Sequence, residues 1–361
     1  MILWWHKLGG KMNAKILVTG SAGLIGSEAT RFFLDKKYDV YGIDNDMRSY
    51  FFGKEASTKG TLKKLKENFN YHHYNCDIRN YEGLKKIFKE NKFDIIVHTA
   101  AQPSHDWAVK EPLTDFEINA IGTFNILELM RLHCKNAIMI FTSTNKCYGD
   151  NPNYLSGLVE EGGRFEVYKN GVPYAIDESM SIDQTKHSIF GSSKVAADIM
   201  TQEYGKYFGM KTGIFRGGCL TGENHAGAEL HGFLSYLVKC IVHNKHYNIF
   251  GYKGKQVRDN IYSKDLINMF WHFIQNPRCG EVYNAGGGRE NSTSILEAIE
   301  TINEINGSNW NNYDILDDNR IGDHIWYITD LSKFKKDYPG WTIETSLIYL
   351  LEKMIQKENR K

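Results

Sequence analysis

Neither sign of charge prevails in this chain: Lys and Arg number 44 against 43 Asp and Glu, a formal net charge of +1. That balance leaves no long-range field to recruit nucleic acid or an acidic membrane surface, so an anionic ligand has to be met by local groups. Close cysteine pairs are missing as well. Cys76, Cys134, Cys147, Cys219, Cys240 and Cys279 are scattered, which argues against a zinc site and a secreted disulfide framework and makes a reducing cytoplasm the expected compartment. No apolar run approaches the ~20 residues of a membrane-spanning helix, and no internal repeat is visible. The opening Met1-Ile2-Leu3-Trp4-Trp5-His6-Lys7 is too short and too quickly interrupted for a signal peptide. Met12 stands just before the first strand and is itself a candidate start, so residues 1–12 are read as an extension outside the fold.

What the chain does have is length, 361 residues, enough for a large core and two lobes. From Asn13 to Arg216 short apolar runs alternate with longer amphipathic segments. This predicts an α/β fold, a Rossmann-type doubly wound parallel sheet with helices on both faces. Residues 13–216 are expected to form its NAD-binding part, completed by segments near 247–284, and residues 217–361 mainly a smaller C-terminal substrate-binding lobe. The run Lys15-Ile16-Leu17-Val18-Thr19 breaks into Gly20-Ser21-Ala22-Gly23-Leu24-Ile25-Gly26. Glycines at these positions let the backbone turn sharply, approach a pyrophosphate and pack the next helix against the strand. Asp44 closes the next apolar run, 18 positions after Gly26, where an acid accepts hydrogen bonds from ribose hydroxyls and repels a ribose phosphate. NAD is therefore the expected cofactor, with Asn45 beside Asp44. A fourth strand ends in small residues at Ala100 and a fifth at Thr142, with Asn119 on a helix predicted over Leu113 to His133 between them. All three are placed at the cofactor, because ligands of open parallel sheets bind at the carboxyl ends of the strands. The adjacent His72 and His73 would point to opposite faces of a strand, so no metal ligand set is expected.

Further motifs carry a resemblance: Ser143-Thr144-Asn145-Lys146 with Tyr148-Gly149-Asp150, Gly191-Ser192-Ser193-Lys194, Gly254-Lys255-Gln256-Val257-Arg258-Asp259 and Asn284-Ala285-Gly286-Gly287. With the Gly-x-x-Gly-x-x-Gly turn, they resemble the extended short-chain dehydrogenase/reductase family of NAD-dependent epimerases and dehydratases. Within it the likeness is nearest to the 2-epimerases of CDP-linked sugars. The resemblance implies an adenine-side contact at Asp77-Ile78, a substrate-aligning hydroxyl at Thr144, a cation on base and cofactor ribose at Lys194, and a nucleotide-diphosphate sugar substrate. It implies that Arg258 meets the diphosphate. Asn145 and Gln256 are placed at the substrate, with Arg320 as a second candidate for its anion. Relatives often dimerise through the helix holding Lys194 and the helix of Leu113 to His133, so a homodimer is expected.

The family's proton-exchanging tyrosine, four residues before the lysine, is here Phe190. Phenylalanine exchanges no proton, so another group has to do so, and His187 and Lys146 are the favoured candidates. Relatives that eliminate water carry an Asp-Glu pair after the threonine, where this chain has Asn145 and Lys146, which weakens the usual dehydratase reading. The expected reaction is epimerisation through transient oxidation. The alternatives are another redox conversion or an atypical elimination on the same ligand class, and a catalytically silent protein that binds NAD and a sugar nucleotide.

Overall fold

The structure is a computed structural model that describes residues 14–222, 232–319 and 322–360. Seven parallel strands make its central sheet: β1 (Lys15–Thr19), β2 (Asp39–Ile43), β3 (Tyr71–Tyr74), β4 (Ile95–His98), β5 (Ile138–Thr144), β6 (Lys211–Gly217) and β7 (Glu281–Ala285), in the order 3-2-1-4-5-6-7. Ile16, Leu17 and Val18 of β1 are fully buried, as expected where helices cover both faces of a parallel sheet. On one face α1 (Leu24–Asp35) and the helix Ser263–Gln275 bury Phe33, Leu266, Phe270 and Phe273. On the other, Tyr81–Glu90, α2 (Gly122–His133) and α3 (Ser188–Phe208) bury Phe88, Ile126, Met130 and Tyr204. The strand order reverses between β1 and β4, which opens a crevice at their carboxyl ends.

The helix expected over Leu113 to His133 is broken in two. Pro112–Phe116 runs into a π-type turn at Glu117–Ile121 before α2 begins. The wider turn carries Asn119, whose amide nitrogen donates to the Gln102 carbonyl at 3.0 Å and to Asp115 Oδ1 and Ser193 Oγ at 3.1 Å each. Side-chain bonds to a neighbouring loop thus accompany the change of pitch, as at many such bulges.

Past Gly217 a second sheet forms around Val257–Tyr262, flanked by Cys219–Thr221, Ser292–Ser294 and Trp326–Tyr327. Helices Phe233–Val242, Ile295–Asn306 and Leu347–Glu358 bury Leu237, Ile241, Ile302 and Leu351 beside it. The second of these helices starts at a capping box of Ser294 with Glu297. Tyr247–Phe250 pairs with Tyr313–Leu316, so this segment lies apart from the seven-stranded sheet, whose late strand is β7.

Between β5 and α3 the insert folds into antiparallel strands Leu158–Glu161, Arg164–Lys169 and Val172–Pro173. It is fastened to the second sheet: Phe165 N donates to the Lys255 carbonyl at 2.9 Å, Trp326 Nε1 to Glu166 Oε1 at 3.0 Å, and Lys255 pairs with Glu160 at 2.7 Å. Among the described residues no helix is long and apolar enough to cross a membrane.

Candidate active site

At the end of β1 the chain turns through Gly20 at φ +65°, a left-handed conformation that suits glycine. A Cβ on Gly26 would lie 2.0 Å from the Gly20 carbonyl oxygen, so helix and turn approach too closely for any side chain there. The first turn of α1 holds no acidic residue, which keeps its partial positive charge available to a pyrophosphate. Asp44 accepts hydrogen bonds from Ala22 N and Asp46 N, both at 2.9 Å, which fixes the carboxylate beside the glycine turn. Asn45 Nδ2 donates to Asp77 Oδ2 at 3.1 Å, and Arg79 pairs with Asp77 at 2.8 Å. Burial pushes the Asp77 carboxyl up, but Arg79 more than reverses this and leaves it lowered.

Gly20, Gly23, Leu24, Ile25, Gly26, Asp44, Asn45, Asp77, Ile78, Ala100 and Thr142 line one cavity of about 480 Å³, which continues to Thr144, Asn145, Lys146, Lys194, Gln256 and Arg258. Asn119 stands behind the wall, within its hydrogen-bonded cluster, and Gln102 N donates to its Oδ1 at 2.9 Å. Arg320 lies outside the described residues. The residues fit NAD on grounds of their own: beyond the glycine cradle, Thr142 Oγ1 is buried with no protein partner on the cavity wall.

Lys194 projects from α3 beneath that wall. Its ammonium donates to the Thr142 carbonyl at 2.8 Å and sits 4.3 Å from the Phe141 ring centre. Burial lowers its pKa to about 8, although Cys147, Asp198 and Asp115 pull the other way. Thr144 Oγ1 accepts from Lys146 N at 3.2 Å and donates to Asn145 Oδ1 at 3.5 Å. Beneath them Asp198 takes Arg216 in a two-pronged pair, Nε to Oδ2 at 3.0 Å and Nη2 to Oδ1 at 2.9 Å, and Ser143 Oγ donates to Oδ2 at 2.5 Å.

Of the two candidates for proton exchange, the structure brings only Lys146 to the cavity. Its Nζ donates to the Gly322 carbonyl at 2.8 Å and lies 3.8 Å from Asp323 Oδ1. The His187 ring is instead turned onto the Cys147 carbonyl, 3.0 Å from Nε2, and His187 is not among the lining residues. Phe190 does line the cavity, and the ring of His105 meets it edge-on at a centroid distance of 4.8 Å. Tyr148 is fully buried with its hydroxyl on Asn284 Oδ1 at 2.7 Å.

Arg258 is more committed than its sequence motif suggests. It donates to the carbonyls of Val257 and His324 and to Asp323 Oδ1 at 2.5 Å. Burial pushes the Asp323 carboxyl up, yet Arg258 and Lys146 beside it hold it well below the usual carboxylate range. Two cations around one carboxylate leave this end of the cavity positive. Sequence reading takes Asp323, with His324, as structural and passes over His105. Asp323 lies 65 positions from its partner Arg258. His105 had one signal, its place in the polar loop Gln102-Pro103-Ser104-His105 just past the carboxyl end of β4.

A parallel sheet of this order, with a glycine turn, an acid just past β2 and a buried lysine at one crevice, defines a Rossmann-type enzyme of the dinucleotide-dependent class. Residues 16–286 match the model of the NAD dependent epimerase/dehydratase family, and the chain belongs to that family, with NAD as its cofactor. It is 31% identical to CDP-paratose 2-epimerase of Salmonella typhi over 80% of this chain and 84% of that protein. It is 29% identical to a putative UDP-glucose 4-epimerase of Methanocaldococcus jannaschii over 92% and 94%. Among solved structures, UDP-glucuronic acid 4-epimerase of Bacillus cereus, in complex with UDP-glucuronic acid and NAD, superposes with a TM-score of 0.75 at 25% identity, covering 96% of this chain and 99% of that one.

Proposed function

We propose that the chain is an epimerase that inverts one sugar carbon of a CDP-linked sugar, in the manner of CDP-paratose 2-epimerase. The observation that carries this reading is the wall after Thr144, where Asn145 and Lys146 occupy the cavity in place of an acid pair for water elimination. Bound NAD supplies reversible acceptance of a hydride from the sugar carbinol. The chain's own residues do the rest. Thr144, whose oxygen accepts from Lys146 N, would redirect to a sugar oxygen the hydroxyl hydrogen it now donates to Asn145 Oδ1 at 3.5 Å. Lys194 holds a buried cation at the carboxyl end of β5. Gln256, Arg258 and Lys146 line the positive end, which suits a diphosphate. Residues 13–216 with β7 hold the cofactor and most of the rest the sugar nucleotide. The reading extends to a cytoplasmic homodimer, supported by the exposed Ile121, Phe124, Ile189 and Ile199 along α2, its preceding turn and α3.

The test is purified protein with its retained cofactor, CDP-paratose and CDP-tyvelose in heavy water, followed by proton NMR. Interconversion without net NADH, with the carbon-bound hydrogen retained, is the expected result. Accumulated NADH or an unsaturated product would favour a dehydrogenase or dehydratase. Tight NAD binding with no turnover across a sugar-nucleotide panel would make Phe190 the mark of a binding protein.

A further inference from the structure

No step of the reaction proposed above uses Asp198, which is fully buried and not among the lining residues. Yet the wall of the cavity hangs on it. Thr144, Asn145 and Lys146 all line the cavity, and the residues on either side of them, Ser143 and Cys147, both turn to Asp198. Ser143 Oγ donates to Asp198 Oδ2 at 2.5 Å and Cys147 Sγ to the same oxygen at 3.7 Å, with 3.4 Å between the two donors. Burial pushes the Cys147 thiol up to about 12, so it keeps its proton to donate. The three wall residues thus form a short loop with both feet on one carboxylate oxygen.

The same carboxylate sets that loop against its neighbours. Asp198 stands one turn after Lys194 on α3, so the two share a helical face, and they take successive residues of β5. Lys194 Nζ donates to the Thr142 carbonyl at 2.8 Å, and Asp198 accepts from Ser143. Arg216, the partner in the two-pronged pair, is the residue opposite Ser143 on β6, and Thr144 stands opposite Gly217. Gln202 Nε2 adds a further bond to Oδ1 at 2.8 Å. A buried carboxylate held from so many sides cannot shift without leaving a donor unpaired. Since a buried ion pair adds little stability over apolar side chains of the same volume, what this one supplies is position.

We propose that Asp198 is the positioning residue of this active site: through Ser143, Cys147 and Arg216 it sets where Thr144, Asn145 and Lys146 stand relative to Lys194, and so where a sugar carbinol must lie to react. The inference rests on the epimerase reading above. Asp198 itself exchanges no proton. Its effect is on alignment, and a misplacement of ~1 Å between reacting groups costs about 100-fold in rate.

The experiment compares wild type, Ser143→Ala, Asp198→Leu/Arg216→Met and the triple variant that adds Ser143→Ala to that pair, with initial rates on a sugar nucleotide the wild type turns over and NAD affinity from tryptophan fluorescence. The double variant removes both buried charges together, which is close to neutral for stability, but it removes the anchor of the loop. Ser143→Ala leaves the ion pair in place and keeps the test open if the double variant does not fold. The expected result is a fall in kcat of about 10-fold for Ser143→Ala and ~100-fold for the double variant, with KM and NAD affinity within about threefold of wild type. Because Ser143 acts through Asp198, the triple variant should match the double within about threefold. A kcat within about threefold of wild type in Ser143→Ala or in the double variant overturns the proposal and leaves the epimerase reading intact. So does a loss that KM and NAD affinity share, which would mark a residue of the scaffold alone, or a Ser143→Ala effect that persists at full size in the triple variant, which would put Ser143 on the substrate itself. A wild type that binds NAD and turns over no sugar nucleotide overturns both.

Discussion

Removing the Asp198 carboxylate by Asp198→Ala would strand a guanidinium under the active site. Arg216 and Asp198 are buried, their side chains 6% and 1% exposed, and joined by the two bonds at 2.9 and 3.0 Å. Ser143 and Gln202 also donate to that carboxylate, at 2.5 and 2.8 Å. Breaking one partner of such a pair costs about 3–5 kcal/mol, because the remaining charge stays buried without its counterpart. At roughly 2 °C per kcal/mol for a chain of this size, the midpoint of thermal unfolding should fall by about 6–10 °C. The double variant Asp198→Leu/Arg216→Met, which removes both charges, should recover most of the loss. Burial pushes the Asp198 carboxyl up, but Arg216, Ser143 and Gln202 outweigh burial and leave its pKa lowered. A lowered carboxyl pKa means stability present above the unfolded value of about 4 and lost as pH falls through the folded value. The gap between wild type and Asp198→Ala should therefore be constant from about pH 5 upward and narrow below about pH 4. Circular dichroism melts across pH 3–8 read all of this. A single variant within about 2 °C of wild type, or a double variant as unstable as the single, would refute the reasoning.

Three further outcomes follow from the cofactor end. Gly26→Ala places a methyl 2.0 Å from the Gly20 carbonyl and should abolish NAD binding in an equilibrium fluorescence titration. Asp44→Asn should weaken NAD about tenfold, the scale of a lost charge-assisted hydrogen bond, and narrow its preference over NADP, measured as a ratio of dissociation constants. Lys194 loses its proton as pH rises through about 8 in the free protein. NAD affinity should accordingly fall between pH 7 and 9, whereas Lys194→Arg should give a flat profile over that range.

The sheet was legible because a strand covered on both faces has to be apolar throughout, and Ile16-Leu17-Val18 and Ile95-Ile96-Val97 are. The cofactor wall was legible for a related reason: turn, glycines and Asp44 are consecutive parts of one supersecondary unit, so their spacing in sequence is their spacing in space. What escaped depends on distant chain crossings. His105 meets Ser188 across 83 positions, and Arg258 meets Asp323 across 65. Periodicity carries no trace of either. The π-type turn at Glu117–Ile121 was hidden because Asn119 reads as one more polar position on a helix until its three acceptors are located. His187 misled through proximity: three residues before Phe190 it looks adjacent, yet the helix starts just after it and its ring folds back onto Cys147.

The fastened insert between β5 and α3 bears on how such enzymes can be recombined. Its strands belong by sequence to the NAD-binding part, but Glu166 bonds Trp326 and Arg289, Arg164 bonds Ser292, and Ser294 Oγ donates to the Gly163 carbonyl. A chimera that exchanged only the C-terminal lobe with that of a relative would leave Glu166 facing foreign partners while the new lobe met a strap it had never matched. If the lobe holds the sugar nucleotide as proposed, the unit that carries substrate specificity is discontinuous, the lobe together with residues 158–173, and a transplant of specificity has to carry both pieces.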